Sequence, residues 1–96
     1  MKTLPDAAQA YKRTPEFTET TVPAGLERRH DTKAGVWGRI RVLEGRLRYR
    51  ILEPDVEEHV LEPGLDGIVE PQVPHHLEML GPVRFFVEFL REKDGS

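Results

Sequence analysis

The chain has 96 residues, 38% hydrophobic and 32% charged, with a net charge of −3. This length suits one globular domain and leaves no room for a second, and the composition argues against disorder. With 14 basic and 17 acidic residues there is no basic excess, so no nucleic-acid partner is expected. Cysteine is absent, which excludes disulfides and thiolate metal sites. No apolar run approaches the roughly 20 residues of a membrane span. The N-terminus, Met1-Lys2-Thr3-Leu4-Pro5-Asp6, has no apolar core of a secretory signal. The expectations are a cytoplasmic protein with no membrane partner. A domain this small buries only about 60% of its unfolded surface, and a homodimer is expected on that ground.

The first thirty residues are the least regular. Thr14-Pro15-Glu16 suits a capped helical turn, with Pro15 at the first helical position, or equally an extended segment. From Gly35 onward, Pro and Gly fall as turn signals every 8–12 residues or so, an all-β rhythm. Gly38 to Ile51 reads GRIRVLEGRLRYRI, with apolar and Arg residues alternating on both sides of Glu44-Gly45. Period two predicts strands. A two-residue turn at Glu44-Gly45 would pair Val42 with Leu47 and Ile40 with Tyr49 on a buried face. The other face would set Arg41 opposite Arg48 and Arg39 opposite Arg50, and like charges that close destabilise a bare hairpin. The stripe therefore requires anions, either the carboxylates of Glu53, Glu57, Glu58, Glu62 or Glu88, or an external oxyanion or acidic partner.

Further strands are predicted over Glu57 to Leu61, Gly67 to Glu70, Leu77 to Leu80 and Val83 to Leu90, with turns at Glu62-Pro63-Gly64 and Gly81-Pro82. In the last of these strands Val83, Phe85, Val87 and Phe89 share one face and Phe86 and Leu90 the other. Such a strand is covered on both sides. Lys93 to Ser96 reads as a frayed tail.

The sequence has one serine, Ser96, and no nucleophile or phosphate-loop motif. Chemistry rests on histidine and carboxylate. Counting back from Ile40 with period two puts His30 on the inward parity unless a bulge intervenes. His75 ends the Pro-rich loop Glu70-Pro71-Gln72-Val73-Pro74 at the start of a strand. His76 has the opposite parity, and His59 sits among acids, so both are expected at the surface.

The order of Leu61-Glu62-Pro63-Gly64, Ile68 to His75, Gly81 and Val83 to Phe89 resembles the second motif of the cupin superfamily. His30 to Trp37, Leu43 to Leu47 and Glu70-Pro71-Gln72…His75 resemble, more narrowly, the small cupins of the TehB/YeaR-like, tellurite-resistance-related family. The likeness runs from about Pro5 to Phe89. It implies an all-β fold: a single small jelly-roll β-barrel, with residues 1–29 as an irregular N-terminal segment, 30–90 as the barrel core and 91–96 as a tail. It also implies a divalent transition metal (Fe, Zn, Ni or Mn) or a small ligand in the barrel mouth. His30 and His75 map onto metal positions of the family. The second histidine of the first motif is replaced by Thr32, and no acid stands near Val36-Trp37, so Glu70 is the candidate third ligand. Trp37 and Gln72 are candidate ligand contacts.

The function expected from this resemblance is a binding or sensing domain for a small molecule or oxyanion, tied to tellurite or related stress. The alternatives are a metal-dependent dioxygenase or isomerase and a metal-free cupin that binds a partner through its Arg face. TehB proteins carry a methyltransferase domain for which this chain has no residues, so methyl transfer is not carried over.

Overall fold

A computed structural model describes residues 1–92, and Lys93 to Ser96, the expected tail, lie outside the described residues. The chain forms six strands: β1 (Ala8–Arg13), β2 (Phe17–Thr18), β3 (Trp37–Ile51), β4 (Glu57–Leu61), β5 (Gly67–Val69) and β6 (His75–Glu92). One short 3-10 turn spans Ala24–Glu27. All strands join one antiparallel sheet in the order β1-β6-β3-β4, with β2 added to β6 and β5 to β3. The protein is thus mostly β-sheet, as expected.

The sheet is not closed into a barrel, because β1 and β4 end the path of paired strands and do not pair with each other. Among the described residues the closed barrel of the sequence reading is therefore not seen. The sheet folds over on itself instead. The long strands β3 and β6 pair along their whole length and bend together in the middle, where the register shifts between Val42 and Glu44 and again between Gly45 and Leu47. The two halves then face each other. Ile40, Val42, Val83, Phe85 and Val87 from one half pack with Leu47, Tyr49, Ile51 and Leu77 from the other in a single core. The Tyr49 hydroxyl crosses the gap to donate to the Ile68 carbonyl at 2.9 Å.

This bend corrects the hairpin expected at Glu44-Gly45. Inward residues lie at even positions up to Val42 and at odd positions from Leu47. Such a parity break suits either a turn or a single bulge, which inserts an unpaired residue and bends its strand. The structure has the bulge, with Leu43 as the extra residue of β3, and a second irregularity follows Gly45, where Leu80 to Pro82 of β6 face Arg46 alone. Gly81-Pro82 likewise lies inside β6 rather than ending a strand. Gly45 adopts φ +75° and Gly81 φ +105°, and both belong to this crease.

The Arg rows consequently never meet. Arg39 stands opposite Glu88 and Arg48 opposite Glu78. Arg39 Nε donates to Glu88 Oε1 at 2.9 Å, Arg41 lies 3.6 Å from the same carboxylate and 3.8 Å from Asp66, Arg48 pairs with Glu78 and Arg50 with Glu58. Glu58 and Glu88 are partners foreseen from the sequence; Asp66 and Glu78 are not. The guanidiniums of Arg13 and Arg41 also lie over the Phe86 ring, 4.6 and 5.9 Å from its centroid. That covers the second face of β6.

The N-terminal segment is more ordered than its sequence suggests. β1 pairs with the end of β6, from Ala8 opposite Glu92 to Arg13 opposite Glu88, so Arg91 and Glu92 belong to the sheet rather than to a tail. Thr14-Pro15-Glu16 is extended, and the Thr14 hydroxyl accepts a hydrogen bond from the Val87 N–H at 3.0 Å.

The crease makes a specific demand on glycine. A Cβ on Gly45 would stand 2.1 Å from the Pro82 carbonyl oxygen, whereas one on Gly81 meets nothing within 4 Å. Gly45→Ala is expected to lose about 3 kcal/mol or more, from the unfavourable φ together with a backbone clash. Gly81→Ala is expected to lose about 1–2 kcal/mol, from φ alone. Urea unfolding of the two variants checks the order; equal losses would remove the crease contact as the cause.

Candidate functional site

The two inward histidines are brought together by backbone pairing. His30 and His75 exchange both main-chain hydrogen bonds, N–H to carbonyl, at 3.0 and 2.9 Å, in an antiparallel bridge. Residues so paired lie directly opposite, with side chains on the same face. Their ring centroids are 4.0 Å apart. Each imidazole is also oriented locally: Nδ1 of His30 lies 2.8 Å from the Arg28 carbonyl and Nδ1 of His75 lies 3.0 Å from the Val73 carbonyl. A carbonyl only accepts, so each neutral ring carries its proton on Nδ1 and keeps a lone pair on Nε2.

Both rings line a cavity of about 150 Å³ between the two halves of the sheet. The walls are largely apolar, with Leu26, Ile40, Val69, Leu77 and Phe89 among them, and Thr14, Asp31 and Thr32 at its border. Thr32 is pinned: its hydroxyl donates to the Val36 carbonyl at 2.7 Å, and it receives the Gln72 N–H. His75 is 3% exposed. Burial pushes its pKa down from 6.5 to about 4, against the opposing effect of the Val73 carbonyl; the neighbouring His30 lowers it further. Burial also raises the pKa of the Tyr49 phenol, with Glu70 and Glu57 adding to the effect. The cavity therefore offers the neutral imidazole of His75, with the ring of His30 beside it, in a largely apolar setting.

Of the residues singled out from sequence, His30 and His75 meet and the others stand apart. The Glu70 carboxylate pairs with Lys2 at 3.3 Å and does not line the cavity. Gln72 is exposed, on a turn with φ 61°. Trp37 borders a shallow depression with Pro71 and Arg91 rather than the histidine cavity. His59 is half-buried, 3.2 Å from Glu57, and His76 is half-buried. Among the described residues no group of three His, Asp or Glu is placed to hold a metal ion. Two imidazoles supply only half of a tetrahedral set, so these residues do not by themselves fit a resident metal. Thr14 and Leu26 were missed as cavity residues, since nothing in a Thr-Pro pair or a lone Leu marks a cavity.

Fold and cavity together define a small β-domain that presents paired imidazoles to an enclosed apolar space. Residues 12–87 match the TehB-like domain family, and the chain belongs to that family. It is 35% identical over 74 residues to TehB of Haemophilus influenzae strain Rd, described as a probable S-adenosyl-L-methionine-dependent methyltransferase. That match covers 73% of this chain and 26% of the relative, so the chain spans about a quarter of the curated protein's length. The crystal structure of TehB from H. influenzae superposes with a TM-score of 0.83 at 32% identity, covering 92% of this chain and 32% of that one. A protein of E. coli strain K12 shares the fold over its whole length, with a TM-score of 0.87 at 23% identity and 98% of this chain covered. The hydroxypropylphosphonic acid epoxidase from S. wedmorenis shares it more distantly, with a TM-score of 0.58 at 20% identity, over 79% of this chain and 40% of its own.

The buried neutral His75 ties stability to pH. Its folded pKa, about 4, lies below the ordinary 6.5, so the unfolded chain binds the proton more readily in between. Stability from this group is complete above pH 6.5 and falls as pH drops toward 4, by about 3 kcal/mol in all. Unfolding free energies measured across that interval are expected to show this slope and to lose most of it in His75→Gln. An unchanged slope in the variant would mean that other groups cause it.

Proposed function

We propose that this chain is a small-ligand-binding or sensing domain of cupin type, its folded sheet an open form of that barrel, with the ligand held between the Nε2 atoms of His30 and His75. The observation that carries this reading is the paired imidazoles, each oriented through Nδ1 by a carbonyl, facing a cavity whose walls are largely apolar. Such sites combine apolar walls with a few placed polar groups. A void of this size admits a molecule of about six non-hydrogen atoms. Ring nitrogens left as acceptors at Nε2 suit a ligand end that is uncharged and donates hydrogen bonds. Membership of the TehB-like family supports a role in tellurite or related stress.

The Arg face supports the partner-binding alternative less well, because its guanidiniums are engaged by Glu58, Glu78, Glu88 and Asp66. The enzyme alternative needs a third metal ligand, which Glu70 does not bring to the cavity.

The test is NMR of the histidine ring nitrogens with n-butanol, sodium tellurite and zinc as separate probes. n-Butanol is expected to shift Nε2 of both rings, and His75→Ala to weaken its binding roughly tenfold, the worth of one good hydrogen bond. Ring shifts with tellurite would place the family's stress setting at this site. Tight stoichiometric zinc at both rings would restore the metal reading. No shift with any probe would overturn the cavity as a ligand site.

A further inference from the structure

A second space adjoins the histidine cavity on the β1 side. It is an open groove of about 380 Å³, bordered by Lys12, Lys33 and Arg91, and it shares Asp31, Thr32 and Phe89 with the cavity as a common rim. We propose that this groove is the headgroup site for a small organic anion, a carboxylate or phosphonate, whose short uncharged tail crosses the rim to the His30–His75 pair. The inference rests on the ligand reading above and extends it to a substrate class.

Three observations carry it. First, a bulge aims one of the cations. β1 pairs Ala10 with Leu90 and then Lys12 with Phe89, leaving Tyr11 as the extra residue. Without that insertion Lys12 would continue the parity of Ala10 and Leu90. With it, Lys12 stands opposite Phe89, on the face that lines the cavity. Bulges re-aim side chains in this way and recur next to functional sites. Arg91, two residues from Phe89, shares that face.

Second, these cations have no carboxylate. Arg29, Arg39, Arg41, Arg48, Arg50 and Arg84 form ion pairs; among the described residues Lys12, Lys33 and Arg91 form none, nor do Arg13, Arg28 and Arg46, but only the first three share one groove. The Arg91 guanidinium stacks on the Tyr11 ring, 4.5 Å from its centroid. Stacking fixes its plane and leaves its N–H edges free for an oxyanion. Three cations against Asp31, the one acid bordering the groove, concentrate positive charge on a chain whose net charge is −3.

Third, the two spaces divide the work. The cavity has largely apolar walls around the buried His75 ring and is a poor place for a negative charge. The groove supplies charge-assisted donors and suits a carboxylate or phosphonate. A ligand using both has its charge outside and an uncharged end inside.

The experiment is an NMR titration of the full chain with 4-hydroxybutanoate, 3-hydroxypropylphosphonate, n-butanol and inorganic phosphate, reading the backbone amides of Lys12, Lys33 and Arg91 and the ring nitrogens of His30 and His75. 4-Hydroxybutanoate or 3-hydroxypropylphosphonate is expected to move both sets with a single affinity, tighter than that of n-butanol. The stronger of the two identifies the headgroup. The surface double variant Lys12→Gln/Lys33→Gln is expected to weaken that anion roughly tenfold and to leave n-butanol unchanged. If n-butanol binds at the rings and no anion binds more tightly or touches the groove, this inference fails and the cavity reading stands. If the anions move the groove amides alone, the two spaces are not one site and the inference also fails. If no probe moves either set, both readings fall together.

Discussion

Gly45 lies at φ +75° with the Pro82 carbonyl oxygen standing where a side chain would begin. Around that contact β3 and β6 bend together, Glu44 opposite Arg84 and Gly45 opposite Val83. Everything else in the molecule depends on the bend. It folds one sheet into two facing layers, brings Ile40 and Val87 against Leu47, Tyr49 and Leu77, and leaves the histidine cavity between the layers. Two paired strands bend at one point only if both relax their ladder there, and bulges with left-handed glycines allow that relaxation.

The apolar layers are held by burial and the outer faces by charge. Arg39, Arg41, Arg48 and Arg50 each meet a carboxylate on a neighbouring strand or loop. These pairs are half-exposed, and such pairs stabilise only modestly. Their larger effect is to neutralise the stripe and so remove it as an anion site. Lys12, Lys33 and Arg91 stand out because, among the described residues, they have no carboxylate partner and border one groove together. Anion recognition, if the domain has it, lies at the rim of the cavity rather than on the Arg face.

The candidate site was half legible. His30 and His75 are the two positions that a period-two count and a Pro-rich loop mark, and the backbone exchange between them puts them in one cavity. Glu70 was not legible. Its place beside the same loop suggests a third ligand, but a residue next to a loop turns either way, and this one turns to Lys2. Trp37 and Gln72 stand apart for the same reason. Thr14, read as a possible helix cap, instead holds the Val87 amide at the cavity wall.

By itself the sequence determined the all-β class, the strand over Glu57 to Leu61, a short strand from Gly67 that ends at Val69, one residue before the expected Glu70, the inward parity of each half of β3, and the core positions Ile40, Val42, Leu47, Tyr49, Phe85 and Val87. These follow from local alternation and turn chemistry, which act between residues close in the chain. It did not determine whether the parity break at Glu44-Gly45 is a turn or a bend. A two-residue turn and a single bulge impose the same pattern, and only the partner strand decides between them. Here β6 runs alongside β3 past the break, so the bend prevails and the Arg rows separate. The tertiary structure likewise decided that the sheet stays open and that Lys12 faces the cavity side. Both depend on pairings between residues some eighty positions apart, Ala8 with Glu92 and Arg13 with Glu88, and no local pattern encodes contacts at that distance.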